Sequence, residues 1–233
     1  MKYSIAPYIF EKNPDVCFGI VLANGLTNSE TTLEDSQYLA KSEGAIRRIL
    51  SADQLKTTPE IAVYRQALKN VGINGNKFMN SVEAMSKRVV KGGTLPRINA
   101  LVDLCNAIAL KYVISLGAHD LRDIEDDLSV RLSVEGDKFL PFGEEVYEDV
   151  AADEVVFTSG NIIQTRQWLW RQSQLGMIDL ESTDIIFQLV GFKGVHYEHF
   201  KSALQEVEAL AIGRFGGSAR SFIVDQETPE IDL

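Results

Sequence analysis

The chain has 233 residues, 45% of them hydrophobic, and a formal net charge of −10. That is enough apolar material for one sizeable core, and too negative for a protein that grips nucleic-acid backbone over a broad basic face. No run approaches the roughly 18 apolar residues of a membrane span, and the start MKYSIAPYIFEKN lacks the layout of a signal peptide, so one domain spanning residues 1–233 in the cytoplasm is expected.

DVCFGIVLANG reads as an early core strand running to the turn Asn24-Gly25, and SETTLEDSQYLAKSEGAIRRIL as a mostly exposed helix. In the next helix Thr58 is the cap, Pro59 fits the first turn, Ile61, Tyr64, Leu68 and Val71 share a face, and Gly72 ends it. A third helix follows Ser81 through Val82, Met85 and Val89 and stops at Gly92-Gly93. Lys87, Arg88, Lys91 and Arg97 concentrate positive charge in MSKRVVKGGTLPR. Two readings stay open for them: a solvated helix end whose cations suit the dipole, or a local grip on an anion beside a cleft.

The stretch LPRINALVDLCNAIALKY is the most informative. Asn99, Asp103 and Asn106 recur at i, i+4 and i+7, which stacks them on one helical face, opposite an arc of Ile98, Leu101, Val102, Cys105, Ile108 and Ala109. Buried amides and acids need partners, so this polar line either ties the helix to neighbouring loops or contacts a polar ligand in a cleft.

Beyond it the period changes to two, with strands expected in YVISL, LSVRLSV, EVVFTS, NIIQTRQWLW and TDIIFQLVGF, and a hairpin turn at Ser159-Gly160-Asn161. Alternation puts Arg166, Trp168 and Trp170 on one face, where indoles read first as core. A long amphipathic helix carries Phe200, Leu204, Val207, Leu210 and Ala211 to a stop near Gly216-Gly217, before an acidic tail. The order is α+β, a mostly antiparallel sheet flanked by helices.

Several signals point nowhere. Gly213, Gly216 and Gly217 follow a helix instead of joining a strand to a helix start, so they are no phosphate loop. His196 and His199 have no third ligand nearby in sequence, Cys17 and Cys105 read as buried core thiols, and no metal or cofactor is expected. There is no G-x-S-x-G elbow, and covalent catalysis has no candidate.

Taken together, VYRQALKNVG, SVEAMSKRVVKGGTLPRINALVDLCNAIAL, HDLRDIEDDLSVRLSVEGDKFLPFG, EVVF, TRQWLWRQS and STDIIF resemble, in this order, the B3/B4 domain. That domain is the tRNA-editing module of the bacterial phenylalanyl-tRNA synthetase beta subunit, and the likeness is closer to its free-standing relatives. It is strongest over residues 60–190. It implies a three-layer α+β fold and, in the synthetase, hydrolysis of tyrosine wrongly esterified to the phenylalanine tRNA. Such a second site restores accuracy where a binding pocket cannot reject an extra hydroxyl.

By the resemblance, Asn106 matches the editing pocket's asparagine, with Asn99 and Asp103 at the polar positions before it. Where the synthetase has a histidine in P-L-H-A-F-D, this chain has Gly117 in S-L-G-A-H-D, with His119 two positions on. The synthetase's acid falls near Gln188 or Leu189. The resemblance further implies that Tyr64, Arg65, Ser81, Arg88, Arg131, Trp170 and Arg171 surround one cavity with the polar line. The expected partner is the acceptor end of an aminoacyl-tRNA, entering over Lys87, Arg88, Lys91 and Arg97, or a free amino acid; DNA and membrane are not expected. Asn106 and Asp103 would be the catalytic pair, orienting water or ester carbonyl and holding the substrate ammonium. The alternative is a binding module that kept the fold and lost the reaction.

Overall fold

The computed structural model describes residues 1–233. In chain order the elements are β1 (Lys2–Ile5), α1 (Pro7–Lys12), β2 (Val16–Asn24), α2 (Leu33–Ile49), α3 (Pro59–Asn70), α4 (Ser81–Val90), α5 (Ala100–Tyr112), β3 (Ser115–Asp120), β4 (Leu128–Leu132), β5 (Lys138–Phe139), β6 (Glu148–Asp149), β7 (Val155–Ser159), β8 (Ile162–Arg166), β9 (Arg171–Gln172), β10 (Ile185–Phe192), α6 (Tyr197–Gly213), β11 (Ser218–Val224) and β12 (Glu230–Asp232). No helix is long and apolar enough to cross a membrane.

The strands form two sheets. A four-stranded antiparallel sheet has the order β11-β2-β10-β3, and an eight-stranded sheet runs β12-β1-β4-β7-β8-β5-β6 with β9 paired to β8. The small sheet is central because β2 and β10 are apolar on both faces, as a strand covered on both sides must be. Cys17, Val21, Phe187 and Leu189 face one way, into a core shared with Leu101 and Ile108 of α5 and Phe200 and Leu204 of α6. Phe18, Ile20, Ile186 and Val190 face the other way, meeting Tyr3 and Phe157 of the large sheet, Trp168 of the turn after β8, and Tyr64, Leu68, Val82 and Val89 of α3 and α4. Helices, small sheet and large sheet are thus the layers of an α+β fold.

Two glycines set the spacing of the first pair of layers. A Cβ on Gly19 would lie 2.9 Å from Leu204 Cδ1, and one on Gly191 would collide with the Phe200 ring. The helix therefore rests almost on the backbone of β2 and β10. Glu206 of α6 accepts from Tyr38 of α2 and, at 2.6 Å each, from Lys111 and Tyr112 of α5, which ties three helices through one carboxylate. Cys17 and Cys105 are both buried free thiols, pushed up to about 12 by desolvation.

Three expectations about elements change. The strand sought in YVISL begins only at Ser115, because Val113 caps α5 in the left-handed region with φ 52°. The run NIIQTRQWLW stops being a strand at Arg166, since Gln167 and Trp168 have φ of 49° and 61° and turn the chain. The indoles consequently part company, with Trp168 fully buried and Trp170 exposed against Phe78. The short elements β1, α1, β11 and β12 lie outside the runs expected from sequence.

Candidate functional site: a cavity at the edge of the small sheet

Helix α5 starts at Ala100, so Asn99 precedes it with extended backbone at φ −157° and ψ 167°. Its Oδ1 accepts from Val102 N at 3.0 Å as the N-cap, and its Nδ2 donates to Ile178 O at 3.2 Å. Asp103 is fully buried and has its own work. Oδ2 accepts from Thr31 Oγ1 at 2.7 Å and Oδ1 from Ile98 N at 3.0 Å, a carboxylate pinning the loops before α2 and α5. The expected row of three side chains facing one cleft is therefore corrected. Asn99 precedes the helix, Asp103 is bonded to Ile98 N and Thr31, and neither lines the cavity that Asn106 borders.

Asn106 differs. It is half-buried, no protein group hydrogen-bonds its amide, and it lines a cavity of about 560 Å³. Val102 and Cys105 of α5 flank it, and Leu116, Gly117 and Ala118 of the edge strand β3 form the opposite wall. Gln172, Ser173 and Ile178 complete the lining, while Ile98, Phe142 and Met177 are its exposed members, the first two 53% and 66% exposed. The volume suits an aminoacyl-sized ligand, and the wall is mainly apolar with a few polar groups, as binding cavities are. Gln172 donates to Ala118 O at 2.9 Å and so braces the unpaired edge of β3.

Gly117 borders a second, narrower cleft of about 100 Å³ between the sheets. Here lie Ser81 and Ser115, with hydroxyls 3.2 Å apart, and His119, Trp170 and Gln188, whose Oε1 accepts from Tyr3 Oη at 2.6 Å. Leu116, Gly117 and Gln172 belong to both cavities. His119 is buried against Phe157, and desolvation holds its imidazole down at about 4, so it is neutral at physiological pH. It does not reach the larger cavity.

Three of the seven expected basic ligands hold carboxylates of the protein itself. Arg65 forms a bifurcated ion pair with buried Glu83 at 2.7 and 3.0 Å, and Arg131 a fork on fully buried Asp137 at 2.7 and 2.9 Å. Arg97 pairs with Glu43 at 3.2 Å and bonds Ser36 Oγ at 3.1 Å. A buried carboxylate needs its cation, so these guanidinium groups are not free for a phosphate. Arg88 is exposed but donates Nε to Thr94 O at 2.6 Å. Lys87, Lys91 and Arg171 make no ion pair, and Arg171 lies over the Phe139 ring at 5.7 Å. Tyr64 is also structural. Its hydroxyl donates to Val190 O at 2.5 Å, accepts from Ser115 N at 3.0 Å, and borders a separate crevice with Glu60, His196 and His199. No group of three His, Cys, Asp or Glu side chains is placed to hold a metal ion.

The structure thus brings together Asn106 and Gly117 in the large cavity, and Gly117, His119 and Trp170 in the narrow one. Sequence reasoning missed Phe142, Gln172, Ser173, Met177 and Ile178. Only the tripeptide Pro141-Phe142-Gly143, an aromatic inside turn chemistry, signalled any of them.

What the fold and the cavity define is an α+β domain with one free amide on the wall of a mostly apolar cavity at a sheet edge. The family model of the B3/4 domain matches residues 63–208, and the chain belongs to that family. Among solved structures, an N-terminal fragment of the phenylalanyl-tRNA synthetase beta-subunit from Pyrococcus horikoshii is similar, with a TM-score of 0.48 and 12% identity. The alignment covers 94% of this chain and 50% of that one, so the present chain spans about half of that fragment. No curated protein matches.

Proposed function

We propose that the protein acts in trans on aminoacyl-tRNA, taking the esterified amino acid into the cavity beside Asn106 and releasing it by hydrolysis. The observation that carries this reading is an amide without a protein partner facing a chamber of about 560 Å³. The ester needs a positioned water and a donor for the developing oxyanion, and a dedicated nucleophile is optional. Asn106 Nδ2 supplies the donor. Water adds to the ester carbonyl, the bond to the ribose oxygen breaks, and the substrate's vicinal hydroxyl relays the proton to that oxygen. No charged side chain lines the cavity, which favours an uncharged amino-acid side chain inside and leaves the ammonium at the mouth in water.

A panel of mischarged tRNAs incubated with wild type and Asn106→Ala tests this. Loss of one oxyanion donor is expected to slow ester loss by about 100-fold. Equal, background-level loss in both proteins across the panel would reject hydrolysis.

One observation favours a second reading, a module that binds an amino acid or an RNA end without turnover. The only titratable group on the cavity wall is the Cys105 thiol, pushed up to about 12 and therefore inert as base or nucleophile. Calorimetry with free amino acids and with deacylated tRNA separates the two. Stable binding without turnover supports the module, and turnover without stable free-ligand binding supports editing.

A further inference from the structure

A phenylalanine that spends two-thirds of its surface on water needs a reason, and Phe142 does so at the rim of the large cavity. The ring is not on a floppy tip. Glu144 N donates to Pro141 O at 3.2 Å and Gly143 has φ 80°, which makes 141–144 a tight turn with glycine where a left-handed residue is required. The turn is bolted to a segment of the cavity lining. Gly143 N donates to Gln174 Oε1 at 2.8 Å, and Leu140 O accepts from Gln174 N at 2.9 Å and Ser173 Oγ at 3.0 Å. Ser173 itself lines the cavity. The sequence therefore holds the backbone that carries an exposed aromatic ring in a fixed place beside the mouth, so that the ordering cost of the turn is already met in the free protein.

We infer that Phe142 is a stacking platform for the 3′-terminal adenine of an RNA acceptor end. The inference rests on the aminoacyl-tRNA reading: an aminoacyl group inside the cavity puts its ribose at the mouth and the attached base beside the rim. Base-on-aromatic stacking is sequence-tolerant and adds about 1 to 3 kcal/mol per base to whatever the few unpaired cations contribute. That matters here. The residues that follow the ring, Glu144 and Glu145, are exposed acids that repel phosphates, so the flat face of a neutral base is the part of the RNA that this corner accepts. Phe142 is a positioning residue and touches no reacting atom.

The test uses the trinucleotide 5′-CCA-3′ and the same trinucleotide with an abasic 3′ residue, titrated into wild type, Phe142→Ala and Phe142→Trp. Because the ring is exposed, both variants are expected to melt as wild type does. Phe142→Ala should weaken CCA binding about tenfold, Phe142→Trp should restore it with quenching of the new indole's fluorescence, and the abasic probe should bind wild type as weakly as CCA binds Phe142→Ala. Equal CCA affinity in wild type and Phe142→Ala, indifference to the missing base, or no CCA binding by wild type would each overturn the platform. Ester loss from mischarged tRNA, measured in parallel, keeps the two proposals apart. Hydrolysis that is unchanged by Phe142→Ala sinks the platform alone, and base-dependent CCA binding without hydrolysis sinks editing alone.

Discussion

Asn106 and Asp103 stand three residues apart on one helix and serve different ends. Asp103 satisfies a backbone N–H and a threonine hydroxyl inside the protein, whereas Asn106 keeps its hydrogen-bonding capacity for whatever enters the cavity. His119 is a third kind of polar residue, buried and neutral, with Nδ1 unpartnered. Its chemistry appears in stability. The unfolded imidazole takes a proton below its ordinary 6.5, while the folded one stays neutral down to about 4. The unfolded state therefore binds more protons in that window, so this contribution is complete above pH 6.5 and is lost as pH falls toward 4. In His119→Phe, the drop in unfolding free energy between pH 7 and pH 4.5 should be smaller than in wild type by about 2 kcal/mol, read by urea unfolding at both pH values. An identical drop in the two proteins would show that the imidazole titrates normally.

At the scale of elements, close approach of α6 to the small sheet sets where every other part sits. Gly191 is flat so that Phe200 can lie on it, and Gly19 does the same for Leu204. Gly191→Ala forces the ring off the strand and should destabilise by about 1 to 3 kcal/mol. Phe200→Leu on top of it should recover part of that loss, giving a favourable coupling in a double-mutant cycle followed by thermal melting. Much of this layer was legible in sequence. The alternation in TDIIFQLVGF is β10, the Ser159-Gly160-Asn161 hairpin joins β7 to β8, and Pro59 opens α3. What was not legible was where periodicity ends. TRQWLW keeps alternating on paper, but two consecutive left-handed residues send Trp168 into the core and Trp170 outward. Such backbone choices are imposed by packing, as where Trp168 N reaches Val155 O at 2.7 Å, and no propensity announces them.

The whole molecule carries a net charge of −10 and spends its arginines internally. Arg65, Arg97, Arg131, Arg166 and Arg214 all hold carboxylates. Among the residues expected to meet RNA, Lys87, Arg88, Lys91 and Arg171 remain without an acidic partner. Binding of an acceptor end should accordingly depend weakly on salt, with log K falling against log salt by a slope no steeper than about −3, at roughly 0.7 per cation for a single strand. A fluorescence titration from 50 to 300 mM salt measures it, and a slope near −6 would mean that a basic surface elsewhere carries the contact.

The sequence alone determined the α+β class, through local periodicity, and the family resemblance, through short motifs; the resemblance also pointed to Asn106 and Gly117, which the structure places on one cavity wall. It also marked Asn99 and Asp103 as polar residues in apolar company, Arg97 as part of a positive segment and, by the resemblance, Arg65 and Arg131 as cavity residues, and it could go no further. Whether a buried donor or acceptor serves a ligand or its own protein depends on which distant group lies within 3 Å. Thr31, Glu83, Glu43 and Asp137 took those places when the layers closed. Only the tertiary structure decided that, and with it which one amide was left free.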